Sequence, residues 1–110
     1  MQHESLTDLA REHLATAGSA SSGRSAHTVY GGREHHLRQT LIALRSGARL
    51  DEHESPGEAT LQVLHGRVAL AAGDDRWELS AGDLLAIPAA RHALEALDDA
   101  VVLLTVANRL

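Results

Sequence analysis

The sequence predicts a single all-β domain preceded by a short helix, and three observations support this prediction. Short runs rich in Val, Leu and Thr alternate with Gly, Pro and Asp at intervals of roughly 8–12 residues, as in barrels and sandwiches. Within several of these runs apolar and polar residues alternate, which is the period of a strand with one buried face. The chain has 110 residues and no cysteine, so it is long enough for one core and has no disulfide framework.

The N-terminal segment has a helical pattern instead. The apolar residues that recur there at helical spacing are Leu6, Leu9, Ala10 and Leu14. Ser5 precedes them and is a suitable N-cap for a helix that ends near Ala15. The stretch GSASSGRS at 18–25 is a linker by composition. We therefore expect a helix with its linker over residues 1–25 and a barrel over residues 26–110.

Nine short strands are predicted from residue 26 onwards. They cover residues 26–30, 37–45, 48–54, 59–65, 67–72, 76–80, 83–87, 92–97 and 100–107. Gly47, Gly66 and Gly82 fall between strands, where tight turns are least costly for glycine. The segment AGDDR at 72–76 predicts a hairpin. So many strands in a small domain must close into a barrel or stack into a sandwich.

Alternation identifies the inner face of several strands. Ala59, Leu61 and Val63 share one face of their strand, opposite polar neighbours. In the same way, His92 lies on the same face as Leu94. A histidine on an apolar face is therefore expected inside the barrel.

Two strands lack a polar face, namely LLAI at 84–87 and VVLL at 101–104. Such strands are covered on both sides, whether by a second sheet, by the N-terminal helix or by a partner subunit. In a domain of this size the two runs predict a homodimer.

Composition and charge exclude several kinds of partner. The formal net charge is −5 at pH 7, and the ten basic residues, all arginine, are scattered along the chain. The sequence therefore lacks a basic surface for nucleic acid. No apolar stretch approaches the roughly 20 residues that span a bilayer, and the N-terminal segment has no signal-peptide pattern. We expect a cytoplasmic protein that binds neither nucleic acid nor membrane.

Two segments resemble the motifs of the cupin family. Residues 47–66, GARLDEHESPGEATLQVLHG, resemble the first motif, G-x5-H-x-H-x3-E-x6-G, and residues 82–92, GDLLAIPAARH, resemble the second. The matching positions are Gly47, His53 and Gly66 in the first motif and Gly82, Pro88 and His92 in the second. The resemblance spans residues 37–107. It implies a double-stranded β-helix, or jelly-roll barrel, that is usually a homodimer.

The resemblance also implies a metal site, of which only part is present. In the family, two histidines and a glutamate of the first motif and one histidine of the second hold a divalent metal inside the barrel. His53 and His92 occupy the first and last of these positions, whereas Ser55 and Ala59 replace the other two ligands. Glu58 comes one residue early, which places it on the opposite strand face unless a bulge turns it inward.

Two interpretations of the function follow. In one, His53 and His92, with Glu58 as a third ligand, hold Zn, Ni, Fe or Mn in an oxygenase, isomerase or decarboxylase acting on a small organic substrate. In the other, the barrel binds a small-molecule ligand and has at most a weak divalent-metal site. Two imidazoles without a carboxylate favour the second, because catalytic zinc normally keeps three protein ligands. The residues expected to line the pocket are Ser55, Ala59, Leu61, Val63 and Leu94.

Overall fold

The fold is one helix followed by nine strands in the computed structural model, which describes residues 3–54 and 57–107. Helix α1 spans Leu6–Ser19. The strands are β1 Arg24–Tyr30, β2 Leu37–Leu44, β3 Arg49–His53, β4 Glu58–His65, β5 Arg67–Ala72, β6 Asp75–Ser80, β7 Leu84–Ala86, β8 His92–Ala96 and β9 Ala100–Ala107. All nine predicted strands are present, and each end lies within two residues of the predicted one.

The strands form two antiparallel sheets. One has the order β1-β2-β9-β4-β7 and the other has the order β3-β8-β5-β6. The predicted hairpin is present, because Ala72 of β5 pairs with Asp75 of β6 across a two-residue turn. The arrangement confirms the predicted all-β class, with two sheets and one short helix.

The main hydrophobic core lies between the inner faces of the two sheets. Its buried members include Leu44, Ala59, Leu61, Val63, Val68, Leu70, Leu94, Ala96, Val102 and Val106. Along each strand they are mostly every second residue, because successive side chains point to opposite faces. The alternation in the sequence therefore identifies the inner faces correctly.

Helix α1 begins at the predicted residue and ends four residues beyond the predicted end. The hydroxyl of Ser5 accepts a hydrogen bond from the backbone N–H of Asp8, as an N-cap does. At the other end, Nη1 of Arg45 donates to the carbonyl oxygens of Gly18 and Ala20 at 3.0 and 3.3 Å. These bonds satisfy carbonyls near the end of the helix. Helical periodicity could not reveal the longer helix, because the capping residue lies after β2.

The connection between α1 and β1 is shorter than the Gly/Ser-rich stretch 18–25 that the composition predicts as a linker. The first two residues of that stretch belong to α1 and its last two to β1, which leaves a turn over residues 20–23. In this turn Gly23 has a φ of +71°, which glycine adopts readily. The division of the chain at residue 25 stays a prediction. Within the described residues, no helix is long and apolar enough to span a membrane.

Helix α1 covers part of the outer face of the five-stranded sheet. It packs mainly on β1 and β2. Under it lies a second hydrophobic cluster, whose buried members are Ala17, Leu41, Ala43, Val101 and Leu103. The apolar run 101–104 is therefore covered on both sides within one chain, because Val102 faces the main core and Val101 belongs to the helix-side cluster.

The apolar run 84–87 is only partly covered. It contains β7, one of the two edge strands of the five-stranded sheet, which pairs with β4. Ile87 belongs to the main core, whereas Leu84 is 65% exposed. Of the two runs that predict a homodimer, only this one leaves a large apolar side chain uncovered. The homodimer stays a prediction.

Arg67 and Asp98 form an exposed ion pair that joins the start of β5 to the turn after β8. The Nε atom of Arg67 lies 2.8 Å from Oδ2 of Asp98. The hydrogen bond from Arg67 holds the pKa of Asp98 below its usual range, and the positive charge of the guanidinium adds to this effect. Because this pKa is lowered by folding, the pair stabilises the protein above the ordinary carboxyl pKa of about 3.9. Its contribution is lost as the pH falls through the folded pKa.

Arg67→Gln is therefore expected to raise the pKa of Asp98 toward its ordinary value, as measured by NMR titration of the carboxyl carbon. The variant should be only slightly less stable than the wild type near neutral pH, because the pair is exposed. The difference should shrink as the pH falls through the folded pKa of Asp98. An unchanged Asp98 pKa would contradict the pairing.

Candidate functional site

A β-bulge brings His53 to the inner face of the barrel. Strand β3 pairs with β8 at Leu50 and Leu94 and next at His53 and His92, so three steps along β3 match two along β8. Leu94 is in the core, and His92, two residues away, is buried on the same face. Because Leu50 also packs against the core, regular alternation would point His53 outward. The extra residue in β3 turns the side chain of His53 back to the face on which Leu50 lies.

The two imidazole rings are in contact. Their centroids are 4.4 Å apart, and the ring planes meet at 65°. His92 is only 3% exposed, whereas His53 is exposed. The structure thus brings together the two histidines that the sequence singles out. This histidine pair, His53 and His92, connects the barrel interior with solvent.

Backbone carbonyl groups fix the tautomer of both histidines. Nδ1 of His53 lies 2.8 Å from the carbonyl oxygen of Asp51, and Nδ1 of His92 lies 2.9 Å from that of Ala90. A carbonyl oxygen only accepts hydrogen bonds, so each Nδ1 carries the proton and donates it. In the neutral state each Nε2 therefore presents a lone pair. Neither Nε2 has a hydrogen-bond partner among residues 3–54 and 57–107.

Four of the five predicted pocket-lining residues belong to the packed core. Ala59, Leu61, Val63 and Leu94 are each at most 7% exposed and lie in one hydrophobic cluster. They contribute apolar packing to the barrel interior. The fifth residue, Ser55, lies outside the described residues.

Glu58 is not grouped with the histidine pair. It is the exposed first residue of β4, and its neighbour Ala59 is buried on the opposite face. Strand β4 pairs regularly with β9 from Glu58 to Val63. The bulge that would turn Glu58 inward is predicted at 55–57, of which residues 55 and 56 lie outside the described residues, so Glu58 as a third ligand stays a prediction.

The donor set does not fit a tightly held divalent metal. In the described part of the chain, no three His, Asp or Glu side chains are arranged to hold a metal ion. The histidine pair supplies two neutral nitrogen ligands and no negative charge. Catalytic sites for divalent metals normally use three protein ligands, and one of these is often a carboxylate.

Arg91 ties the bulged segment of β3 to β8. Its Nε donates to Oε1 of Glu52 at 2.9 Å, and its Nη1 donates to Oε1 of Glu54 at 2.7 Å. Hydrogen bonds to Glu54 and then Glu52 raise the pKa of Arg91 above its usual value. Because these glutamates flank His53 and Arg91 precedes His92, the ion pairs link the two strands at the level of the histidine pair. In the sequence, the acidic residues around His53 predict only a solvated strand edge and not these ion pairs.

Arg91→Gln is expected to weaken the NOE between the rings of His53 and His92 and to accelerate amide exchange in the bulged segment. Global unfolding should change little, because exposed ion pairs contribute little to stability. The matched control is Arg76→Gln, which removes an exposed ion pair with Glu78 on β6 and should leave the ring contact unchanged. An intact ring contact in Arg91→Gln would show that the backbone alone sets the bulge.

The structure has two antiparallel sheets around one core, and an exposed histidine of β3 contacts a buried histidine of β8. These features define a small double-sheet barrel with a histidine pair at the edge of its interior. The family model described as "Cupin domain" matches residues 40–107, which is more than half of the chain. The chain therefore belongs to the cupin family, as its two motifs indicate.

Solved structures with the same fold share little sequence with this chain. A conserved protein of unknown function from Streptococcus pyogenes is 23% identical with a TM-score of 0.77, and the alignment covers 100% of this chain and 92% of that one. KdgF from Halomonas sp. is 19% identical with a TM-score of 0.69, covering 84% and 85%. A salicylate 1,2-dioxygenase from Pseudaminobacter salicylatoxidans is 18% identical with a TM-score of 0.75, covering 91% and 33%. Comparison with curated proteins gave no match. At these identities the similarity shows the fold.

Proposed function

We propose that this cupin binds a small molecule at the histidine pair and holds a divalent metal there at most weakly. The observation that carries the proposal is the pair of Nε2 lone pairs, fixed by the bonds from Nδ1 of His53 and His92 to backbone carbonyls. Such nitrogens accept hydrogen bonds from a hydroxyl, an amide or a protonated acid. A small polar organic molecule therefore matches the site.

The local charges support an organic ligand over a metal ion. Glu52 and Glu54 are the carboxylates that flank His53, and both are paired with Arg91. The guanidinium neutralises one of their two negative charges, and its hydrogen bonds to both carboxylates compete with binding of Zn²⁺, Ni²⁺, Fe²⁺ or Mn²⁺.

The alternative function is a metal-dependent cupin enzyme, such as an oxygenase, isomerase or decarboxylase acting on a small organic substrate. One observation favours it. Histidines that bind metals usually donate their second N–H to a carbonyl or carboxylate, and both members of the pair do so. In this alternative, the substrate or water would supply the missing ligands.

Calorimetric titration with Zn²⁺ distinguishes the two functions, with protein purified without a metal-affinity tag. We expect weak or no binding by the wild type, and loss of any binding in His53→Ala and in His92→Ala. His65→Ala is the matched control, because it removes an exposed histidine at the end of β4. Tight stoichiometric binding that His53→Ala abolishes would contradict the proposal and place the metal enzyme first.

Ligand binding is tested by NMR with a set of small hydroxyl, amide and carboxylic-acid probes that includes salicylate. At least one probe is expected to shift the imidazole signals of His53 and His92. His92→Ala should abolish the shift at His53, whereas His65→Ala should leave it intact. Imidazole signals that no probe shifts would contradict small-molecule binding at this pair.

The predicted homodimer would use the edge of the sheet at β7, where Leu84 is 65% exposed. Light scattering is expected to give about twice the chain mass of 11.7 kDa. Leu84→Glu should shift the protein toward the monomer, because a charge would be placed in an apolar contact. Leu37→Glu, at another exposed leucine, is the control and should leave the mass unchanged. A monomeric wild type at micromolar concentration would contradict the dimer.

A further inference from the structure

A groove lies outside the barrel, between helix α1 and strand β4. Its volume is about 380 Å³. The helix packs mainly on β1 and β2, so the neighbouring part of the five-stranded sheet is left uncovered. The floor of the groove is apolar: the partly exposed side chains of Leu6, Leu14 and Leu64 form it, and the buried Val101 lies next to them. These side chains belong to or pack against the second hydrophobic cluster, which lies under α1. The floor of the groove is therefore a continuation of that cluster.

An arginine and a histidine line the same groove, one from each wall. Arg11 comes from α1 and His65 from the end of β4. Among the described residues that line the groove, none is acidic. In a chain with a formal net charge of −5, an apolar floor beside a guanidinium and an imidazole N–H is complementary to an apolar molecule with a negatively charged end.

The size of the groove selects a small occupant. Small-molecule sites have volumes of roughly 300–1,000 Å³, and this groove lies near the lower limit. A stable protein partner would require an interface of at least about 1,000 Å². The apolar floor together with a guanidinium at the side is suited to a carboxylic acid with a hydrocarbon body.

We propose that the groove between α1 and β4 binds a small amphipathic carboxylate, such as a medium-chain fatty acid. The hydrocarbon body lies on Leu6, Leu14 and Leu64, and the carboxylate pairs with Arg11. Arg11 already contacts Asp8, with Nη2 at 3.1 Å from Oδ1. Both side chains are largely exposed, at 72% and 60%, so this pair is weak and a ligand carboxylate can replace it.

Octanoate is the probe, titrated into the full chain and followed by NMR. The signals of Leu64 and Val101 are expected to shift with saturation. Octanol should bind less tightly, because it lacks the charge. Arg11→Gln is expected to weaken octanoate binding about threefold, because the ion pair that it removes is exposed.

Asp8→Asn provides a test in the opposite direction. It removes the carboxylate that competes for Arg11, so octanoate should bind more tightly than to the wild type. His53→Ala, at the separate histidine pair, should leave octanoate binding unchanged, which distinguishes this site from the proposed ligand site in the barrel. Circular dichroism melting of each variant confirms that it is folded.

Three results would overturn the proposal. One is equal binding of octanol and octanoate, and another is an Arg11→Gln variant that binds octanoate as well as the wild type does. The third is a set of Leu64 and Val101 signals that octanoate leaves unchanged but that shift with protein concentration. That last result would assign the groove to a second copy of the chain.

Discussion

Gly66→Ala is expected to lower the free energy of unfolding by roughly 3 kcal/mol or more. Gly66 joins β4 to β5 with a φ of +73°, a conformation that side chains disfavour. A Cβ at this position would also overlap the carbonyl oxygen of Asp99, so the backbone would have to move. The measurement is chemical denaturation of the wild type and the variant.

Gly73→Ala is the matched control for this prediction. Gly73 has a φ of +59°, but a Cβ there meets no atom within 4 Å. This substitution should therefore cost only the backbone strain, about 1 kcal/mol. If both variants lose the same stability, the close approach of Asp99 to Gly66 does not constrain the fold.

The double substitution Ser55→His with Ala59→Glu is expected to bind Zn²⁺ or Ni²⁺ at least tenfold more tightly than the wild type, which requires about 1.4 kcal/mol. The family resemblance places the two missing ligands at these positions. Ala59 is 7% exposed on the inner face of β4. A carboxylate there supplies the negative charge that two imidazoles lack. Calorimetry of untagged protein measures the difference.

The same variant should have a metal-dependent stability. Without metal, a carboxylate buried at position 59 costs several kcal/mol, because the surrounding cluster is apolar. Metal at a hundred times the dissociation constant should restore about 2.7 kcal/mol. Ser55→His with Ala59→Gln is the control, since glutamine has a similar volume but no charge. Absence of metal binding in the Glu-containing variant would contradict the alignment of residues 47–66 with the first cupin motif.

Most of the strands could be predicted because each places one face in the core. Ala59, Leu61 and Val63 alternate with more exposed residues on β4, so local pattern and tertiary burial agree. The end of α1 could not be predicted in this way. It depends on Arg45, which is distant along the chain and reaches the last helical turn only after β1 and β2 have formed.

The candidate site was predictable in its residues but not in its geometry. The family resemblance singled out His53 and His92, which the structure brings into contact. Alternation from Leu50 would have pointed His53 outward, because a bulge depends on pairing with β8 and has no signature within β3. The ion pairs of Arg91 were also missed, although opposite charges next to both histidines could have indicated them.

The position of β9 determines the order in which the chain can fold during synthesis. It lies between β2 and β4, pairing Leu41 with Leu103 and Leu61 with Leu104. Contacts between such distant segments slow the folding of β proteins. On the ribosome, β2 and β4 each lack one neighbouring strand until residues 100–107 leave the exit tunnel. Until then, the unpaired edges of β2 and β4 can pair with strands of other chains, which makes the nascent chain prone to aggregation.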